Sequence, residues 1–186
     1  KNYECKTNTD IMFLFSSFDA KINQSLGSAN KYNIITGLLR NHNVECLRVE
    51  ALQIRNQLKS AGAEKIVCVM DENSADDPRW HTGHALQREN YSYILEKVLE
   101  IPWLGVVFKP KKSKTLRSRL GPINEILLEA EKTGRCILLH TSGQYVSNIP
   151  PILAGLASDI VIHGHLSAGT AALECALEGL PTLLID

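Results

Sequence analysis

Short apolar runs alternate with helical patterns along almost the whole of this chain. Strands are predicted at residues 11–16, 44–49, 65–70, 105–109, 136–140, 159–162 and 182–185. Helices are predicted at residues 30–42, 51–58, 85–99, 122–133, 150–156 and 168–177. Strands that alternate with helices are typical of a parallel sheet with helices on both faces. The sequence therefore predicts an α/β fold.

Charge and cysteine content exclude several classes of protein. Twenty basic residues balance twenty acidic ones, so no overall field favours nucleic acid, and we expect no nucleic-acid partner. Apolar runs are strand-sized, which predicts no transmembrane segment. The five cysteines are widely spaced and form no C-x-x-C pair, which argues against a disulfide framework or a metal cluster. We expect a cytoplasmic protein without a bound metal or other cofactor.

The domain organisation is predicted from a change in pattern near residue 62. Residues 1–62 are expected to form an amino-terminal α/β segment, either a linker or part of a preceding domain. Residues 63–186 are expected to form the main ligand-binding domain. The chain begins without methionine and stops at Asp186, directly after a predicted strand. Since parallel sheets are normally covered on both faces, we expect a fragment of a two-domain protein, incomplete at its carboxy end.

The last 28 residues, 159–186, carry the pattern of an anion-binding turn. A predicted strand leads into a loop of small polar residues, and a helix follows. Unpaired N–H groups and the positive end of a helix dipole favour phosphate at such a point. Ser167 and Thr170 add hydroxyl groups, Gly169 admits a close ligand, and Glu174 lies one turn further along the helix. The alternative is a plain βαβ crossover with small residues for packing.

Three other turns follow predicted strands and hold polar residues. After residues 65–70 comes an acidic loop in which Asp71 or Glu72 is a candidate base and Asn73 a candidate sugar or acceptor contact. The alternative is a solvated loop. His81 and His84 have a spacing compatible with metal binding on a helix, but no third ligand is evident, so no metal site is predicted.

A basic turn follows residues 105–109. Six cations within eleven residues could neutralise a diphosphate, and Lys109, fixed by the following proline, is the best candidate to point into a site. His140, after residues 136–139, is a candidate base or phosphate contact, or else a capped turn residue. The chain contains no G-x-S-x-G, G-x-x-x-x-G-K-[ST] or G-x-G-x-x-G motif, which argues against α/β-hydrolases, P-loop NTPases and common dinucleotide enzymes.

Residues 158–181 resemble the donor-binding region of glycosyltransferases with the GT-B fold. That region has an aspartate-led strand, a Ser/Gly/Thr turn, an E-A-x-x-x-G-x-P helix end and a final strand, and here Cys175 follows Glu174 in place of the alanine. Residues 108–111 (F-K-P-K) also resemble the K-P-H-P element of capsule-type relatives, with lysine for histidine. The resemblance covers residues 64–186 and implies a Rossmann-like, nucleotide-sugar-binding half.

The resemblance implies roles for individual residues. Glu174 would hold the donor's ribose hydroxyls, and His165, Ser167, Gly169, Thr170 and Lys109 would complete the donor site. Asp71 is the one local candidate for the catalytic base. The implied partners are a nucleotide sugar and a saccharide or glycolipid acceptor of surface-polysaccharide synthesis, with peripheral membrane contact through a further domain left open. A sugar-nucleotide 2-epimerase and a non-catalytic binding or assembly module remain alternatives.

Overall fold

The computed structural model describes residues 7–38, 44–72, 74–76, 83–140, 149–164 and 169–185. The chain divides into two compact units, Lys1–His42 and Asn43–Asp186, called here the amino-terminal and carboxy-terminal units. Each unit contains a parallel sheet of its own: two strands in the first and five in the second, within the described residues.

The amino-terminal unit contains β1 (Ile11–Leu14), α1 (Ser17–Ser25) and β2 (Tyr32–Ile35), and the two strands pair in parallel. A capping box begins α1, because Ser16 and Asp19 bond each other's backbone N–H groups. The helix predicted at residues 30–42 is wrong where β2 lies. Tyr32 and the β-branched Ile34 and Ile35 favour a strand, and pairing with β1 decides between the two forms.

The carboxy-terminal unit alternates helices and strands. Its elements in chain order are α2 (Val44–Ser60), β3 (Lys65–Met70), α3 (His84–Glu100), β4 (Leu104–Lys109), α4 (Ser113–Leu120), a 3-10 turn (Gly121–Ile123), α5 (Asn124–Lys132), β5 (Cys136–Leu138), α6 (Pro151–Leu156), β6 (Ile160–His163), α7 (Thr170–Leu177) and β7 (Thr182–Leu184). The strands form one parallel sheet in the order β5-β4-β3-β6-β7.

Helices cover both faces of this sheet, which confirms the predicted α/β, Rossmann-like fold. Successive side chains of a strand point to opposite faces, and β3 shows the result. Ile66, Cys68 and Met70 pack in a core with α2, α6 and α7. Val69 packs in a second core with α3, α4 and α5. The alternation explains why β3 is apolar along nearly its whole length.

The strand predicted at residues 44–49 is wrong, because these residues form the first turns of α2. Val44, Ala51 and Leu58 recur every seventh residue, are buried on one side of the helix and pack against the sheet. The helix predicted at 51–58 is therefore the second half of a longer one. Since α2 contributes to the sheet's own core, it belongs to the carboxy-terminal unit, whereas the predicted boundary at residues 62 and 63 assigns it to the amino-terminal segment.

The strand order places a topological switch point at β3. From β3 the chain moves outward through β4 and β5, then crosses back to place β6 on the other side of β3. In such sheets the connections on either side of this switch point diverge, and ligands bind beyond the carboxyl ends of the strands there. The residues that end β3, β4 and β6 therefore lie where this fold binds ligands.

A first prediction concerns Gly105 in β4, where the backbone passes close to the end of α2. A Cβ atom at this position would lie 2.7 Å from the Cβ of Ala63 and 3.4 Å from the carbonyl oxygen of Arg135. We expect Gly105→Ala to lower the free energy of unfolding by about 1–3 kcal/mol through overpacking. Urea denaturation followed by circular dichroism measures this change.

The matched controls are Gly83→Ala and the double variant Gly105→Ala/Ala63→Gly. A Cβ at Gly83 meets no atom within 4 Å, so that variant should unfold like the parent chain. The double variant moves the methyl group from one partner to the other and should recover most of the loss. Equal losses for Gly83→Ala and Gly105→Ala would show that the close contact at β4 is not responsible.

Candidate functional site

Three residues align in one row at the carboxyl edge of the sheet. Met70 of β3 is in register with Lys109 of β4 on one side and with His163 of β6 on the other. Register partners in a parallel sheet point to the same face, which here is the face covered by α2, α6 and α7. Lys109 is 6 % exposed and His163 is 1 % exposed. We call Lys109, Met70 and His163 the edge row.

Lys109 brings a buried amine to the edge row. Its Nζ donates to the carbonyl oxygen of Pro110 at 2.9 Å. Within the described part of the chain, Lys109 forms no ion pair with a carboxylate. Burial lowers the pKa of its ammonium group below the ordinary value, and the charge of Asp71 opposes that change in part. An anionic partner would therefore stabilise the charged form of this amine.

Glu72 lies beside the edge row and joins it to the basic turn after β4. The Glu72 side chain is buried, and its Oε1 accepts from the Nζ of Lys111, a residue whose side chain is 43 % exposed. The other carboxylate oxygen lies 3.9 Å from the Nε2 of His163. The carboxyl edge of the sheet therefore has a carboxylate, an imidazole and two lysines close to the edge row.

Asp71 lies on the opposite side, in a buried ion pair with Arg119. The Nη2 of Arg119 donates to Oδ2 at 2.6 Å and its Nη1 donates to Oδ1 at 3.1 Å. The Tyr91 hydroxyl donates to Oδ1 at 2.9 Å, and the backbone N–H of Lys111 donates to Oδ2 at 3.0 Å. Each carboxylate oxygen thus accepts at least two hydrogen bonds. This geometry suits a residue that positions its neighbours better than one that accepts a substrate proton.

Tyr91, on α3, also contacts the buried ion pair of Asp71 and Arg119. Its ring packs edge-on against Phe108, with 5.0 Å between the ring centroids. Burial, followed by the neighbouring negative charge of Asp71, raises the pKa of the Tyr91 hydroxyl well above its ordinary value. The hydroxyl therefore remains a hydrogen-bond donor to Asp71 throughout the neutral pH range.

The predicted donor residues on α7 take two different positions. Gly169 is the N-cap and Thr170 is the exposed first residue of the helix. Both border an open groove of about 390 Å³ between α7 and β7, which Leu173 and Leu184 also line. Glu174 is 1 % exposed and lies on the inner side of α7. The structure thus brings Gly169 and Thr170 together at the groove and buries Glu174.

The other predicted site residues are distributed as follows. His140 is exposed and comes two residues after the end of β5. Asn73, His165 and Ser167 lie outside the described residues. Among the residues that the structure describes, no group of three or more His, Cys, Asp or Glu side chains could hold a metal ion.

The predicted site omits His163, Tyr91 and the ion-pairing role of Arg119. The sequence does indicate His163 as a candidate, because it is a polar residue that ends an apolar strand, as Lys109 does. Arg119 lies 48 residues after Asp71, and nothing in the local sequence identifies it as that residue's partner. Tyr91 resembles any apolar helix residue until its hydroxyl is seen to reach Asp71.

No protein-family model matches the chain, and a search of the curated proteins finds no match for it. Among the helices in the described ranges, none is long and apolar enough to cross a membrane. The parallel sheet and its strand order establish the class of the fold as α/β and Rossmann-like.

A second prediction concerns the ion pair. The Asp71 side chain is fully buried and that of Arg119 is 8 % exposed. Removing one partner leaves an uncompensated buried charge, so we expect Asp71→Ala to lower the free energy of unfolding by about 3–5 kcal/mol. The double variant Asp71→Ala/Arg119→Met should lose much less than the sum of the two single variants. Urea denaturation of all three completes a double-mutant cycle.

Lys132 provides the control, because it pairs with Glu129 on the exposed surface of α5. Lys132→Met should change the free energy of unfolding by less than about 1 kcal/mol. Additive losses in the Asp71 and Arg119 cycle would mean that the two side chains do not stabilise the fold as a pair.

Proposed function

We propose that this chain is the nucleotide-sugar-binding part of a GT-B-type glycosyltransferase that acts in surface-polysaccharide synthesis. The observation that carries the proposal is the buried Lys109, which ends β4 next to the switch point and forms no ion pair among the described residues. An ammonium group without a countercharge is costly to bury. The phosphates of a nucleotide sugar would supply that countercharge at the place where this fold binds ligands.

The surroundings of Lys109 support an anionic ligand of some size. Lys111 and Lys112 are exposed in the same turn, and Ser113 begins α4, whose first turn contains no acidic residue. The N-terminus of a helix adds a partial positive charge to this turn. One phosphate could be held by Lys109, and a second by the side chains and N–H groups of the turn.

The remaining donor contacts are assigned to the start of α7. The N–H groups near Gly169 and Thr170 would bind phosphate, and Glu174 would hold ribose hydroxyls. His165 and Ser167 precede Gly169 in the same connection and are kept as donor contacts, and Asn73 and His140 are kept as contacts for the sugar or acceptor. Fixed donors of this kind would stabilise the charge that develops on the leaving nucleoside phosphate, without a metal ion.

The partners and location follow from the same hypothesis. The acceptor would be a saccharide or glycolipid hydroxyl. Cys68, Cys136 and Cys175 are buried free thiols, which fits a reducing compartment, and we assign the protein to the cytoplasm.

A third prediction tests Lys109 directly. Without ligand, Lys109→Met should raise the free energy of unfolding by about 1 kcal/mol, because it removes the cost of burying an ammonium group, and should raise Tm by about 2–4 °C. The same variant should lose the stabilisation by nucleotide sugar. For the unsubstituted chain that stabilisation is about 2.7 kcal/mol at a concentration 100 times Kd. Thermal shift against UDP, GDP, CDP, CMP and ADP and their sugar conjugates measures both effects.

Lys59→Met is the matched control, because Lys59 is an exposed lysine in the last turn of α2, outside the proposed site. It should leave Tm nearly unchanged and keep most of the ligand shift. Glu174→Gln should also weaken the ligand shift if this carboxylate holds the ribose. Binding that survives both Lys109→Met and Glu174→Gln would place the ligand elsewhere. Absence of any shift across the panel would contradict the proposed function.

A fourth prediction concerns pH. The pKa of Lys109 in the folded chain lies below the ordinary value of 10.5, so between the two values the unfolded chain binds more protons and stability rises with pH. The stability advantage of Lys109→Met should therefore be complete below the folded pKa and disappear as the pH approaches 10.5. Urea denaturation of both chains between pH 7 and the onset of alkaline unfolding checks this. An advantage independent of pH would contradict burial of the ammonium ion.

A further inference from the structure

A second polar network joins the loop after β3 to the first residue of α3. The hydroxyl oxygen of Ser74 lies 2.6 Å from the Nδ1 of His84 and 2.7 Å from the Oε1 of Gln87. Gln87 is buried and bonds in turn to Arg119, which holds Asp71. His84 is therefore connected to the buried ion pair through two intermediate side chains.

The direction of each hydrogen bond is determined by its neighbours. The Nη1 of Arg119 is a donor only and lies 2.6 Å from one side-chain atom of Gln87, so that atom is the oxygen. The Nε2 of Gln87 faces the carbonyl oxygen of Glu72 at 2.5 Å, which agrees with this orientation. The Gln87 oxygen can only accept. The proton of the Ser74 hydroxyl must therefore point to Gln87.

This assignment determines the tautomer of His84. Since Ser74 donates its one proton to Gln87, it can only accept from His84, and the Nδ1 of the ring must carry a hydrogen. In the neutral ring the other nitrogen, Nε2, then carries the lone pair. His84 is partly exposed, whereas Ser74 and Gln87 are buried. The Nδ1 edge thus faces the protein, and Nε2 lies on the other edge of the ring.

His84 lies in the region where the fold binds ligands. Ser74 comes four residues after the end of β3, and α3 begins at His84, so the network belongs to the connection that leaves the carboxyl end of the central strand. Asp71, the base predicted from the sequence, accepts hydrogen bonds from Arg119, Tyr91 and the backbone of Lys111. In His84, by contrast, the Nε2 nitrogen can accept a proton. Its ring is oriented by the hydrogen bond to Ser74, which Gln87 orients in turn.

We propose that the Nε2 of His84 accepts the proton of the acceptor hydroxyl, which rests on the proposed function. In this step the hydroxyl oxygen forms a bond to the anomeric carbon of the donor sugar and loses its proton to Nε2. The bond from that carbon to the phosphate oxygen breaks, and the nucleoside phosphate departs with the bonding electrons. Ser74 and Gln87 act as positioning residues, because they orient the ring through its Nδ1.

The first experiment determines the tautomer of His84 in the absence of any ligand. Two-dimensional ¹⁵N–¹H spectra that correlate ring nitrogens with ring carbon-bound protons distinguish Nδ1–H from Nε2–H histidine. At a pH where the ring is neutral, His84 should show a protonated Nδ1 and an unprotonated Nε2. Ser74→Ala should remove this preference. An Nε2–H tautomer in the unsubstituted chain would overturn the proposal.

The second experiment asks whether Nε2 lies in the site. Diethylpyrocarbonate acylates unprotonated, accessible histidine nitrogens, and mass spectrometry locates the modified residue. His84 should be acylated in the free chain and protected at least tenfold by an equimolar mixture of UDP-, GDP-, CMP- and ADP-linked sugars. If the mixture raises Tm but leaves His84 unprotected, His84 is not in the site and the proposal is overturned. If the mixture does not bind, the proposed function is contradicted, and the NMR spectra still test the tautomer of His84 independently.

The third experiment compares His84→Asn with His84→Gln. Asparagine keeps an N–H group near the place of Nδ1, so it preserves the bond to Ser74 and lacks Nε2. In the mixture, water takes the place of the acceptor: its oxygen bonds to the anomeric carbon and its proton goes to Nε2, which releases free sugar and nucleoside phosphate. The kcat of this release should fall about 10²–10⁴-fold in both variants, with the donor-induced Tm shift retained by His84→Asn. A kcat for His84→Asn within threefold of the unsubstituted chain would overturn the proposal.

Discussion

The bidentate pairing of Arg119 with Asp71 organises the carboxyl edge of the sheet. It joins the end of β3 to α4, and Tyr91 brings α3 to the same carboxylate. The backbone N–H of Lys111 adds the turn after β4. Four separate segments are therefore held together by one buried carboxylate.

The alternation of side chains along the backbone after β3 places Asp71 and Glu72 on opposite sides of the sheet. Asp71 faces α3 and α4, where all of its hydrogen-bonding capacity is used within the protein. Glu72 faces the other way, toward His163 and Lys111. On that side Lys109 remains without an ion pair among the described residues. Charge that is satisfied internally stabilises the loops, and charge that is not satisfied is available to a ligand.

All five strands described in the carboxy-terminal unit are predicted, because each is a short apolar run, but the first turns of α2 are predicted as a strand and α4 is not predicted. The strand at residues 65–70 is correct at both ends, and Lys109 is identifiable as a polar residue that ends a strand before a proline. The amino-terminal unit was predicted poorly. Residues 30–42 have a helical pattern, and only pairing with β1 makes Tyr32–Ile35 a strand. Ser16 and Asp19 have the spacing of a capping box, which indicates the start of α1, but the polar residues around them show no clear helical pattern.

The sequence predicts which residues end the strands, but not which partners their side chains contact in the folded chain. Strand ends pointed to Asp71 and Lys109, because ligands bind at the carboxyl edge of such sheets. The difference between a positioning carboxylate and a base depends on Arg119, which lies 48 residues from Asp71 and reaches it only in the folded chain. The tautomer of His84 depends in the same way on Gln87 and Arg119.

The central claim is that the carboxyl edge of the sheet at the edge row binds the phosphates of a nucleotide. Amide NMR spectra recorded during titration with the nucleotide sugars test it most directly. The account predicts that the largest shift changes fall on Glu72, Lys109, Lys111, His163 and Thr170, at the ends of β3, β4 and β6 and the start of α7. Changes centred on the amino-terminal unit, or on the opposite edge of the sheet, would contradict it.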